Sequence, residues 1–148
     1  MKKIFMAMYL SFFIFHSLSF AESSVEWKTY DKGMEQAKIK KKQVFINFFA
    51  VWCGYCKKMD STTFSNRQVT NYLQDNFIPI KVNTDKEPTL SQIFGVRGLP
   101  FFWFLTAKGE RIAGLPGYIP PEMFLKYLEY ISTKSYEKIK FNDFVKNK

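Results

Sequence analysis

The chain has 148 residues, a net charge of +9 and 17 phenylalanines, with 47% of its residues hydrophobic. That length and apolar share support one domain with its own core. The positive balance suits acidic partners or anionic membrane surfaces, but the lysines are scattered and no nucleic-acid motif accompanies them. They read as a solvated face, and nucleic acid is not expected as a partner.

The first 21 residues read as a secretory signal. Lys2-Lys3 form a charged start, Ile4 to Phe15 an apolar stretch, and Ser19-Phe20-Ala21 small residues for cleavage after Ala21. The alternative is a retained membrane anchor, which wants about 20 apolar residues. Ser11, His16, Ser17 and Ser19 interrupt the run. Removing residues 1–21, which carry two of the 22 basic residues, would leave 127 residues with a charge of +7.

Further along, Val25-Glu26-Trp27 fits a short edge strand. Asp31 can cap a helix to about Lys41, with Met34, Ala37 and Ile39 partly inward. Val44 to Ala50 is the strongest strand, apolar on both faces as in a sheet covered on both sides. Lys57 to Phe64 reads as a helix. Ser65-Asn66 can cap another over Arg67 to Gln74, where Val69, Tyr72 and Leu73 give the apolar spacing. Phe77 to Val82 is a strand, Asn83 to Pro88 a polar turn and Thr89 to Phe94 a short helix. Phe101 to Leu105 is a strand that turns through Ala107-Lys108-Gly109 into Arg111 to Leu115. Pro120-Pro121 opens the last major helix, and the Lys-rich tail over 135–148 is either a short docked helix or a frayed end. Parallel strands with crossover helices come first, and an antiparallel hairpin closes the sheet.

Cys53 and Cys56 are the only cysteines, and they follow the strongest strand at its junction with a helix. A thiol at a helix N-terminus is favoured as thiolate, and a second thiol one turn in can resolve a mixed disulfide. A bridge across two residues closes a very small loop and would be a weak structural staple. Zinc is not expected either: the one histidine, His16, lies in the signal, which leaves two soft ligands where a closed site takes four. A redox dithiol without cofactor or metal is the reading that remains.

The stretch Phe49-Ala50-Val51-Trp52-Cys53-Gly54-Tyr55-Cys56-Lys57, then Gly98-Leu99-Pro100, then Gly117 before the last helix, resembles the thioredoxin superfamily over roughly Trp27 to Ile131. The resemblance implies an α/β thioredoxin-like fold, a central mixed β-sheet flanked by helices, over residues 22–134, with 135–148 as a C-terminal tail. Cys56 to Ser65, with Gln68-Val69, is similar to the C-terminal periplasmic domain of DsbD-type thiol–disulfide interchange proteins, without that family's membrane-spanning part. The Gly54-Tyr55 dipeptide also matches DsbC-type isomerases.

What the resemblance implies for the site is specific. Cys53 would be the nucleophile and Cys56 the resolving thiol. Pro100 would be a cis-proline lying against the disulfide, with Leu99 offering backbone hydrogen bonds to an extended substrate. Trp52 and Tyr55 would belong to the contact surface or pack partly on the helix. Arg97 would stand near the site. The family's buried aspartate is replaced by Asn47, an amide that cannot act as a base. Asp60 then either assists proton transfer at Cys56, on the helix face it shares with the cysteines, or is a solvated charge. The absence of a histidine between the cysteines favours a reductase of client proteins. The signal implies export to the periplasm, where a reductase needs a membrane-linked supply of electrons, and a monomer is expected. The alternatives are a disulfide isomerase or oxidase, or a binding module without turnover.

Overall fold

The computed structural model describes residues 24–147. The signal read over residues 1–21 lies outside them. Helix α1 (Tyr30–Lys40) leads into strand β1 (Gln43–Phe49), then α2 (Gly54–Lys58), α3 (Arg67–Asn76), β2 (Phe77–Asn83) and α4 (Pro88–Ile93). The hairpin β3 (Phe101–Leu105) and β4 (Arg111–Pro116) follows, then α5 (Pro121–Ser132) and α6 (Phe141–Lys146). The four strands lie in the order β2-β1-β3-β4. Strand β1 pairs parallel to β2 and β3 pairs antiparallel to β4, as the element order predicts, and β1 also pairs antiparallel to β3.

Strand β1 is the centre of the core. Its residues alternate between two apolar layers. Phe45 faces the layer of Met59, Phe64, Phe102 and Phe124, while Val44, Ile46 and Phe48 face Ala37, Ile80 and Phe94. Phe45 contacts five aromatic rings, those of Trp27, Phe64, Phe102, Phe104 and Phe124, with centroids 5.2–6.2 Å away. Gly33 lets α1 approach β2 closely, because a Cβ there would overlap the side chain of Ile80.

Several expectations shift. The edge strand over 25–27 is reduced to one bridge, Lys28 with Ile80. Thr29, not Asp31, occupies the cap position of α1. Ile39 is 73% exposed rather than inward. The buried face of α1 is set by Gly33 and Ala37, and a residue two beyond Ala37 lies about 200° round the helix. Asn66 caps α3 as expected, its Oδ1 accepting from the N–H groups of Gln68 and Val69. The tail is docked: Phe141 stacks on Tyr127 at 3.8 Å, and the Tyr130 hydroxyl donates to the Ile139 carbonyl.

Candidate active site

Strand β1 ends at Phe49, and the chain turns through Ala50 to Trp52 so that Cys53 caps α2. The helix therefore begins at Gly54, earlier than the sequence pattern places it. Cys53 and Cys56 are joined in a disulfide with their Cα atoms 5.2 Å apart. Cys53 Sγ also accepts the Cys56 N–H at 3.1 Å. A donor in that position stabilises negative charge on the same sulfur when the bond is open. Both cysteines are almost wholly buried, packed with Ala50 against Phe49 and Leu99.

The Leu99–Pro100 bond is cis, and the Pro100 carbonyl accepts the Gly117 N–H at 2.8 Å. Gly117 has φ +83°, a conformation that favours glycine. Leu99, Pro100 and Gly117 line an open cleft of about 400 Å³ together with Arg97 and Phe101. Val51, Trp52 and Tyr55, which neighbour the cysteines in the chain, are each more than 60% exposed. Trp52 is fixed there by its Nε1–H, which donates to Asp85 Oδ2 at 2.9 Å. The structure thus brings Leu99 against the dithiol and leaves Trp52 and Tyr55 as an exposed aromatic rim.

Asp60 lies elsewhere in detail. The α-helix gives way after Lys58 to a π-helical turn over Met59–Thr63. This turn is pinned by Thr63 Oγ1, which donates to the Ile119 carbonyl, and by Met59 Sδ, which accepts the Ile119 N–H. The wider turn sends the Asp60 carboxylate to Lys81 on β2, whose Nζ donates to both its oxygens at 2.8 and 2.9 Å. Lys81 Nζ sits 4.7 Å over the ring of Phe49, which packs on the cysteines. One aromatic side chain therefore connects the ion pair to the dithiol. Asn47 is 2% exposed and paired in register with Lys81, and its Oδ1 has no partner among the described protein atoms.

Three further residues lie near the site: Lys81, Asp85 and Arg97. Lys81 carried a signal, as the one charge in the apolar run Phe77 to Val82. Asp85 sits in a polar turn and carried none. Arg97 gained its place only through the cleft. Among the described residues no group of three or more metal-binding side chains is found.

A family model for the thioredoxin-like domain matches residues 30–132. The chain belongs to the thioredoxin-like domain family. The thiol:disulfide interchange protein DsbD of Photorhabdus laumondii is 29% identical over 121 residues, which cover 78% of this chain and 20% of that protein. The chain thus spans about a fifth of that relative. Among solved structures, a thioredoxin from Thermus thermophilus aligns with a TM-score of 0.69 at 28% identity, covering 75% of this chain and 89% of that one. The DsbD C-terminal domain of Neisseria meningitidis in its oxidised form aligns at 0.57 and 25% identity, covering 67% and 90%. The mixed sheet flanked by helices is the thioredoxin-like fold that the sequence motifs implied. Family membership and the Cys53–Cys56 bond place a disulfide-forming cysteine pair in a thioredoxin-like domain.

Proposed function

We propose that the protein is an exported reductase of disulfides in client proteins, its domain spanning residues 22–134 with 135–148 as an accessory tail. The observation that carries this reading is the capped pair itself: Cys53 Sγ receives the Cys56 N–H, and Leu99, the residue before cis-Pro100, packs on the cysteines. In the reduced form the Cys53 thiolate attacks one sulfur of a client disulfide. The client's other sulfur leaves as thiolate, and a mixed disulfide forms. Cys56, as thiolate, then attacks Cys53 Sγ, and the two electrons stay with the client as its second thiolate. The Cys53–Cys56 disulfide results. The leaving thiolates take protons from solvent, directly or through Asp60. Leu99 holds an extended client segment by its backbone, with Trp52 and Tyr55 covering one side.

The reducing direction is supported by the Gly54-Tyr55 dipeptide, which offers no cation to favour the Cys53 thiolate. Export to the periplasm rests on the Lys2-Lys3 and Ile4 to Phe15 pattern and on the likeness to DsbD. A monomer fed by a membrane-linked redox partner fits both.

Cys53→Ser should abolish reduction of insulin disulfides, whereas Cys56→Ser should accumulate mixed disulfides with clients. Turnover retained in Cys53→Ser would refute the nucleophile. An equilibrium with glutathione near the thioredoxin value of about −270 mV supports a reductase, and a value near −120 mV an oxidant.

A further inference from the structure

We propose that the end of the molecule remote from the dithiol is a binding surface for an anionic lipid bilayer. The proposal does not depend on the direction of electron flow. Strand β1 fixes the geometry: Cys53 follows its last residue, and the segment Lys38-Ile39-Lys40-Lys41-Lys42 precedes its first. The sheet register brings three other segments to the lysine end. Leu105 pairs with Val44, so the β3–β4 turn with Lys108 lies there. Helix α5 runs to this end from the dithiol end, and Lys134 follows it. Tyr136 lines one cleft with Gln43, which puts the tail over the same edge.

Lys41, Lys108 and Lys134 line one cleft together. Lys41 and Lys134 are also the two non-glycine residues with positive φ among the described residues, at +53° and +54°. Both follow a helix, at positions that favour glycine. Lysine there gives up the easier backbone and keeps a charge.

Helix C-termini attract cations, and that accounts for Lys38 and Lys40. It does not account for Lys108, Lys138 and Lys140, nor for two exposed isoleucines. Ile39 is 73% exposed and Ile139 40% exposed, and each stands between two lysines as Lys-Ile-Lys. Acids stand among these lysines but are outnumbered: Glu26 shares a pocket with Lys40 and Lys42 and pairs with Lys28, Glu110 is occupied by Thr106, Glu137 lines the cleft, and Asp75 contributes its carbonyl to Lys42.

Lysine rather than arginine dominates this end, and lysine acts as a point charge without the planar fork that reads one carboxylate. An apolar side chain set among such charges fits a surface that is diffusely anionic outside and hydrocarbon just beneath. An acidic protein would satisfy the lysines but leave the isoleucines in water. Bound this way, the protein would hold Cys53 roughly 20 Å from the headgroups, the length of a seven-residue strand, with the site facing away.

The test is hydrogen exchange of the full chain with vesicles of phosphatidylethanolamine and phosphatidylglycerol at 3:1, and with phosphatidylcholine alone. The apolar stretch Ile4 to Phe15 is common to both arms. Exchange should slow over 38–42 and 134–140 with the anionic vesicles only, and recover in ~0.5 M salt. At about fivefold per lysine, the variant K40Q/K41Q/K138Q/K140Q should partition at least ~100-fold more weakly by this protection. Its insulin reduction should be unchanged. Equal protection by phosphatidylcholine, or none at these segments, overturns the proposal. Stronger protection by polyglutamate than by vesicles at equal charge overturns it in favour of an acidic protein partner.

Discussion

At one end of β1 the chain turns through Val51 and Trp52 into Cys53, and at the other it enters from Lys40, Lys41 and Lys42. The dithiol end is held by specific contacts. Trp52 is tied to Asp85, Gly117 to Pro100, and the π-helical turn to Ile119. The lysine end has exposed side chains around helix termini, with lysines outnumbering the acids. Reactive sulfurs need placement within a fraction of an ångström, so that end is built from directional hydrogen bonds and a fixed proline. Charge acts over a Debye length of about 8–10 Å, so the other end tolerates looser side chains. The two ends share one core, and the largest expected effect comes from breaking it. Phe45 lies midway along β1 and contacts five rings. Phe45→Ala should cost about 3–5 kcal/mol in urea unfolding, with redox turnover and core hydrogen-exchange protection falling together. An unchanged midpoint would mean that the ends are carried on separate supports.

A sharper division is expected from Asp60 and Lys81, which sit on the dithiol side yet carry opposite charges. Their bidentate contact is partly exposed, at 44% for Asp60 and 19% for Lys81, so its stability contribution is small, about 1 kcal/mol or less. Its effect on the cysteines is a matter of sign. A carboxylate opposes a nearby thiolate and an ammonium favours it. Asp60→Asn should move the Cys53 thiol titration to lower pH yet slow exchange, because the proton route through Asp60 is lost, and Lys81→Met should move the titration to higher pH. Titrations and insulin rates that coincide with the wild type in both variants would leave Asp60 as a surface charge.

These comparisons also show where the sequence was readable. The strands announced themselves because β1 and β2 are apolar on both faces, and the cysteine pair because its neighbours form a strand and a helix start. The cis bond at Pro100 was readable through the resemblance, because Gly98-Leu99-Pro100 stands where the thioredoxin superfamily has its cis-proline. The direction of Asp60 was not. Helical spacing places it with Cys53 and Cys56, but the π-helical turn depends on Thr63 and Met59 reaching Ile119, 56 and 60 residues away in the chain. Ile39 misled for a related reason, since apolar character alone does not say which side of a short helix meets the sheet. Gly33 decided that, and a glycine carries no hydrophobic signal.

The smallest effect expected tests whether the aromatic rim of the dithiol end is placed or merely exposed. Trp52 is 68% exposed, and its indole N–H has Asp85 as partner across a polar turn. Asp85→Asn keeps an acceptor in the side chain but removes the charge, so the bond weakens without leaving a buried group unsatisfied. Stability should change by less than about 0.5 kcal/mol, as for other exposed polar contacts. If the rim contacts clients, insulin reduction should nevertheless fall about two- to threefold, because loosening a contact by ~0.5 kcal/mol changes a rate by that factor. Asp85→Ala, which removes the acceptor, should fall further. Reduction of a small disulfide such as oxidised glutathione, which cannot reach the rim and the cysteines together, should stay the same in both variants. Equal loss on insulin and on glutathione would assign Asp85 to the sulfur chemistry instead of to the client surface.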